Sequence, residues 1–322
     1  MKNRSARLPS VADAIGCTPL VELSRIAGAG GTLLAKLEYL NPGGSKKDRV
    51  ARHILEGAIA AGLLAPNQTV VELTSGNTGI GAAMICAVQG RPFVAVMSRG
   101  NSPERASMMR AFGAEVVIVN QVSGETPNRV SGADLVLAEC KAVEIARKRR
   151  AFYLNQFERE ENIRAHELGT AAEIWEASGG TITAFCDFVG SGGTFAGLHR
   201  AFKRRNAQIR GYIVEPAGAA VLGCGFTDRP MHRIQGGGYL RRELPLLKGI
   251  EPNGYVAVTD DEAIETARRL AREEGIFAGI SAGATVAAAL KLLARQERGG
   301  TIAILINDSG LKYMTTDLWR SL

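Results

Sequence analysis

Along the chain, short apolar runs are separated by longer stretches in which apolar residues return at helical spacing. TVVEL (69–73), FVAVM (93–97) and EVVIV (115–119) are continuous and β-branched, which predicts buried strands. LLAKLEY, near residue 35, reads the same way. Between these runs, 50–64, a small-residue stretch reaching 89, 103–112 and 133–150 predict helices. The second half repeats the scheme, with strands expected at 182–189, 211–214, 255–258 and 301–306. Its helices are expected at 163–177, 194–205, 261–274 and 282–295. Strand and helix alternate throughout, so the expected class is α/β, with parallel-type sheets covered by helices on both faces. A chain of 322 residues exceeds what one core organises, which predicts two doubly wound domains. Ligands in such folds bind outside the carboxyl ends of the strands. Residues 122–131 and the Gly-rich 224–240 read as loops.

Composition narrows the function classes. Hydrophobic residues make up 46% and charged residues 22%, which excludes disordered and fibrous chains. The net charge is +7, but the basic runs Arg147-Lys148-Arg149-Arg150 and Lys203-Arg204-Arg205 fall at helix ends, where cations complement the dipole. No aromatic residues interleave them, so nucleic acid is not an expected partner, and the charge favours small anions. Cys17, Cys86, Cys140, Cys186 and Cys224 are odd in number and widely spaced, without a CxxC. Together with four scattered histidines this predicts reduced thiols and no metal site. The first residues are basic but lack an apolar core, and the longest uncharged stretch, 73–90, is rich in Thr, Ser, Asn and Gly. A soluble, cytoplasmic protein with no membrane partner is expected.

Three segments share one design, with small residues at a turn that opens a helix. They are Thr74-Ser75-Gly76-Asn77-Thr78-Gly79, Gly190-Ser191-Gly192-Gly193-Thr194 and Gly279-Ile280-Ser281-Ala282-Gly283. Small residues let backbone N–H groups approach an anion, and the helix N-terminus adds partial positive charge. The dinucleotide fingerprint fails, because the sixth position from Gly190 is Phe195, and a Gly-Lys-Ser/Thr tripeptide is absent. Upstream lies Asn41-Pro42-Gly43-Gly44-Ser45-Lys46-Lys47-Asp48-Arg49. A lysine at a helix start is electrostatically disfavoured, and its lowered pKa suits a neutral, nucleophilic amine. Such a lysine, a phosphate cradle and a second anion loop together point to pyridoxal phosphate with an amino-acid substrate.

NPGGSKKDR, TSGNTG, GSGGT and GISAG, in this order, resemble the cysteine synthase / cystathionine β-synthase family of fold-type II pyridoxal-phosphate enzymes. IGCTPL, NQFE at 155–158, VEP at 214–216 and NDSG at 307–310 are similar to that family as well, so the resemblance covers nearly the whole chain. It implies a fold like that of the tryptophan synthase β-subunit. Residues 46–155 would form a smaller, mobile domain, and 1–45 plus 156–322 a larger one. It further implies that Lys47 forms the Schiff base, with Lys46 in the variable slot before it. Gly190, Ser191, Gly192, Gly193 and Thr194 would hold the cofactor phosphate, Asn77 the ring hydroxyl oxygen, and Ser281 would face the pyridine nitrogen. Thr74, Ser75, Asn77 and Thr78 would receive the substrate carboxylate, with Gln156 and Gly236 beside it.

A serine at the ring nitrogen makes the cofactor a weaker electron sink, which favours expulsion of a β-substituent as Lys47 removes the α-proton. The implied reaction is β-replacement on an O-activated L-serine of the O-acetylserine kind, through an α-aminoacrylate. A small nucleophile would complete it, giving L-cysteine or a β-substituted alanine. β-Elimination as in cysteine desulfhydrases, or a cystathionine β-synthase-like condensation from serine, is the alternative. A non-catalytic regulatory paralogue is disfavoured by the complete set of site residues. Serine/threonine dehydratases of the same fold usually carry S-F-K and S-A-G-N-H, unlike the motifs here. The chain departs from the family pattern at Lys46, at Gly100-Asn101-Ser102, at a shorter 234–239 loop and at an expanded 121–134 segment. These lie where the second substrate and leaving group would be read. A homodimer is also implied by the resemblance.

Overall fold

The computed structural model describes residues 7–320 apart from 123, 125–127, 130 and 226–230. The basic first residues and parts of the 122–131 and 224–240 loops lie outside the described residues. Among the described residues ten strands form two sheets: β1 (Leu20–Glu22), β2 (Thr32–Lys36), β3 (Val70–Leu73), β4 (Phe93–Ser98), β5 (Glu115–Val119), β6 (Phe152–Tyr153), β7 (Ala184–Phe188), β8 (Arg210–Pro216), β9 (Gly254–Val258) and β10 (Thr301–Leu305). The four-stranded sheet runs β5-β4-β3-β6 and is parallel throughout. The six-stranded sheet runs β1-β2-β10-β7-β8-β9. It is parallel except for β1, which pairs antiparallel with β2.

The α/β class with two helix-covered sheets agrees with the sequence pattern. Every residue of β3, β4 and β7 is buried, as expected of central strands packed on both faces. β9, at a sheet edge, alternates instead, with Tyr255 exposed. The six-stranded sheet packs one apolar face around Leu33, Val214 and Ile304 and the other around Phe185, Ile213 and Leu305. The four-stranded sheet does the same around Val70 and Ala95 on one side and Val71 and Val94 on the other.

Several local expectations need correction. β1 and β6 were not expected, because two or three residues are too few to show a period. The LLAKLEY run leaves the sheet after Lys36, and Glu38–Leu40 is a 3-10 turn. The next helix begins at Lys47, not 50, and ends at Ala60. The stretch 163–177 is not one regular helix. Glu160–Ala165 and Ala171–Ala177 are α-helical, and His166–Thr170 between them forms a π-turn.

The two basic runs form helix ends, as expected. Lys148 pairs with Glu144 at 2.6 Å and Arg149 with Glu115 at 2.6 Å, while Arg204 pairs with Glu167. Among the described residues no group of acidic, His and Cys side chains could hold a metal ion, and no helix is long and apolar enough to cross a membrane.

Candidate active site

The ends of β3, β7 and β10 and the start of the Lys47–Ala60 helix converge on one pocket. Of the residues singled out in the sequence, Lys47, Asn77, Gly190, Ser191, Gly192, Thr194 and Ser281 line it. So do Ser75, Thr78, Gln156 and Gly236. Thr74 and Gly193 are not among its lining residues. The Thr74 hydroxyl oxygen accepts the N–H groups of Gly76 and Gly79 at 2.9 and 3.0 Å, so what remains to offer a substrate is its hydrogen. Gly193 begins the helix Gly193–Arg205, and a Cβ there would stand 2.2 Å from Asn162 Oδ1.

The turn after β7 is closely packed against the rest of the chain. A Cβ on Gly190 would lie 2.4 Å from the Gly236 carbonyl oxygen, and Gly192 has φ +89°. Both positions need glycine, for space in one case and for backbone conformation in the other. The turn then opens a 13-residue helix, and Gly192 and Thr194 at its start line the pocket, so its unpaired N-terminal N–H groups lie close by. Asn162 Nδ2 donates to Ser191 Oγ at 2.9 Å. His166 Nε2 meets Thr194 Oγ1 at 3.2 Å, and its Nδ1 meets Thr170 Oγ1 at 2.9 Å. Burial, with Lys46 and Lys47 nearby, holds His166 well below the usual imidazole range, so it is a neutral strut. The π-turn that carries it is a common device at functional sites.

Opposite this turn, Lys47 Nζ stands 3.5 Å from Ser191 Oγ. Burial, then repulsion from Lys46, lowers its pKa to about 7, against the pull of Asp187 and Glu72. Behind it, Glu72 is fully buried and accepts N–H groups from Asn155 and Gln156 at 2.8 and 3.5 Å. Burial raises this carboxyl to about 8. On the β3 side, Thr78 donates to Gln156 Oε1 at 2.6 Å, and Ser75 Oγ meets Tyr239 OH at 3.1 Å. Asn77 donates to Asp308 at 2.8 Å and accepts from Lys312 at 2.9 Å, which fixes its amide plane. Ser281 accepts from Asn307 Nδ2 at 3.3 Å.

Sequence reasoning did not single out Asp187, Phe188 or Asn307 as site residues, and it reached Gln235 and Tyr239 only as parts of the 234–239 loop; all five line the pocket. Asp187 carried a signal: an acid inside the apolar run FCDFV has to be accounted for. Phe188 closes β7 in the same apolar run and reads as core, while Gln235, Tyr239 and Asn307 sit in loops, where no periodicity marks a side chain.

Pyridoxal phosphate can be tested against this donor set. A glycine-rich turn at a helix start suits a phosphate, a buried amine near neutrality suits a carbonyl, and a serine hydroxyl suits an aromatic nitrogen. Two buried polar atoms in the lining, Asn307 Oδ1 and Gln235 Nε2, lack a protein partner and suit a polar ligand. The residues fit the group.

Known proteins agree. A family profile described as "Pyridoxal-phosphate dependent enzyme" matches residues 11–308. Cysteine synthase B of Pseudomonas aeruginosa is 36% identical over 317 residues, covering 98% of this chain and 99% of the relative. The crystal structure of an O-ureido-L-serine synthase superposes with TM-score 0.86 at 36% identity, covering 98% of this chain and 96% of that one. O-acetyl serine sulfhydrylase isoform 3 of Entamoeba histolytica gives TM-score 0.89 at 33% identity, covering 100% and 94%. With a family match over most of its length and a pocket that fits the cofactor, the chain belongs to the pyridoxal-phosphate dependent enzymes.

Proposed function

We propose that this enzyme catalyses β-replacement on an O-activated L-serine of the O-acetylserine kind, yielding L-cysteine or a β-substituted alanine. Bound pyridoxal phosphate supplies a carbonyl that joins the substrate amine and a ring that accepts electrons. In this reading the turn Gly190-Ser191-Gly192-Gly193-Thr194 binds the phosphate, and Asn77 hydrogen-bonds the ring hydroxyl oxygen. Thr74, Ser75, Asn77 and Thr78 grip the substrate carboxylate, with Gln156 and Gly236 alongside. Lys47 would hold the cofactor through its amine and, as a neutral base, would take the proton from the substrate α-carbon. Ser281 offers the ring nitrogen a hydroxyl rather than a carboxylate, which favours loss of the β-substituent over a long-lived carbanion. A small nucleophile then adds at the β-carbon.

The observation that carries this reading is a buried amine, lowered to about 7, set 3.5 Å across the pocket from the anion cradle. Relatives named a cysteine synthase, an O-ureido-L-serine synthase and an O-acetyl serine sulfhydrylase support a serine-derived substrate. Residues 46–155 are taken as the smaller, mobile part and 1–45 plus 156–322 as the larger. A substrate touching both Ser75 and Gly236 would draw the two together and exclude water. A cytoplasmic homodimer completes the proposal, and light scattering checks the dimer.

The test is a visible absorption spectrum of the protein with pyridoxal phosphate, titrated with O-acetylserine, O-phosphoserine, serine and cysteine. A band that shifts with one donor identifies it, and discharge of the shifted band by added nucleophiles identifies the second substrate. A protein that shows no cofactor band after addition of pyridoxal phosphate overturns the reading.

A further inference from the structure

Two lysines stand side by side at the start of the Lys47–Ala60 helix, and both line the same pocket. Each is a primary amine able to condense with an aldehyde. Their surroundings differ. Lys46 Nζ lies 2.7 Å from Asp187 Oδ1, with Lys46 only 8% exposed and Asp187 1%. Lys47 Nζ faces a neutral hydroxyl, Ser191 Oγ, at 3.5 Å. Asp187 and Ser191 are four residues apart, at the end of β7 and in the turn that follows, so the two amines reach one short segment.

A buried ion pair is a poor way to gain stability. The cost of taking both charges out of water roughly cancels their attraction, and an apolar pair fills such space as well. The pair is better explained by what it does to Lys46. An ammonium held by a carboxylate has no lone pair to attack a carbonyl carbon. The backbone strengthens the arrangement, because the Lys46 N–H donates to the Asn307 carbonyl at 3.0 Å and pins the residue to the end of β10.

We propose that Asp187 selects which lysine carries the cofactor: by locking Lys46 in an ion pair it leaves Lys47, of the two lysines in the described lining, free to condense. Lys46 and Asp187 are thus positioning residues that act through Lys47. This rests on the reading of Lys47 as the attachment point. In the condensation the neutral amine nitrogen bonds the carbonyl carbon, and the carbonyl oxygen leaves as water with the two amine hydrogens. Asp187→Asn keeps the side-chain volume but removes the charge. A buried amine without a carboxylate partner sheds its proton and becomes a competing nucleophile.

The experiment is borohydride reduction of the protein carrying pyridoxal phosphate, followed by digestion and fragment-ion sequencing to place the label on Lys46 or Lys47. Label on Lys47 alone is expected in the native protein. Label shared between the two lysines is expected in Asp187→Asn. The Lys47→Ala variant is expected to take almost none, and Lys47→Ala/Asp187→Asn at least about tenfold more, on Lys46. The Lys46→Met/Asp187→Leu variant, which lacks both charges, should label on Lys47 as the native protein does. Native label on Lys46 would overturn the Lys47 reading and this proposal together. Native label on Lys47 with no label in Lys47→Ala/Asp187→Asn would overturn this proposal alone. If Asp187→Asn does not fold, Lys47→Ala decides: abundant label on Lys46 with Asp187 intact sinks the idea.

Discussion

In the proposed reaction Lys47 concentrates the chemistry in one nitrogen, and its environment sets when that nitrogen can act. Its pKa falls from the ordinary 10.5 to about 7, mainly because burial disfavours the charged form. The sign of the pH effect follows. Condensation needs the neutral amine, so the rate at which cofactor-free protein captures pyridoxal phosphate should rise with pH. It should pass half its limit near pH 7 and flatten well below pH 10. Stopped-flow absorbance checks this, and a rise centred near 10 would show that the amine is not desolvated. Lys47→Ala should abolish stable attachment and lower turnover by at least about a thousandfold, since nucleophile and base are lost together. Absorbance after gel filtration reads the first effect and product formation the second.

At the scale of the element, the turn between β7 and its helix is limited by space and backbone conformation. Gly190→Ala would place a Cβ 2.4 Å from the Gly236 carbonyl oxygen, a backbone atom that cannot rotate away. The expected cost is about 1–3 kcal/mol of overpacking, together with a weaker phosphate cradle. A lower melting temperature and a raised cofactor dissociation constant should appear together. The π-turn His166–Thr170 follows the same logic. A Cβ on Gly197 would lie 2.6 Å from the Ile163 carbonyl oxygen, so the helix after the cradle and the segment bearing His166 pack almost backbone to backbone. That close packing brings His166 to Thr194.

Across the whole molecule, two polar networks hold distant segments in register. Arg49, two residues beyond Lys47, pairs with Glu38 at 2.7 Å and Glu173 at 2.7 Å, joining the Lys47–Ala60 helix to the segment after β2 and to the Ala171–Ala177 helix. Glu38 is fully buried and the arginine holds its carboxyl below the usual range against the opposing effect of burial. Arg49→Met would leave that carboxylate without its partner, at a cost of about 3–5 kcal/mol, read as a lower urea midpoint. The second network joins the start of the Pro103–Ala111 helix to the segment after β10. Glu104 accepts from Thr315 N and Oγ1 at 2.6 and 2.8 Å, and Ser102 donates to the Lys312 carbonyl at 2.8 Å. Glu104→Ala should loosen this contact and raise KM for the amino acid about tenfold, given charged hydrogen bonds worth about 1.5–3 kcal/mol. The cofactor absorption band of the resting enzyme should not move, because Glu104 does not line the pocket.

The amino-acid sequence by itself determined the α/β class, since continuous β-branched runs alternating with helical periods leave few other folds. It also determined which glycine-rich turns and which lysine-bearing helix start are chemically suited to a phosphate and a carbonyl, because backbone freedom and a lysine's dislike of a helix N-terminus are local properties. It could not show β1 or β6, which are too short to carry a period and exist because neighbouring strands present free edges. Nor could it show what surrounds a side chain. Lys46 and Lys47 read alike in the sequence. Asp187, separated from Lys46 by 141 residues, pairs with one and not the other. The Thr74 hydroxyl reads as a substrate contact, yet its oxygen is occupied by its own turn. Burial, pairing and pKa depend on which groups the fold brings within a few ångströms, and only the tertiary structure decided them.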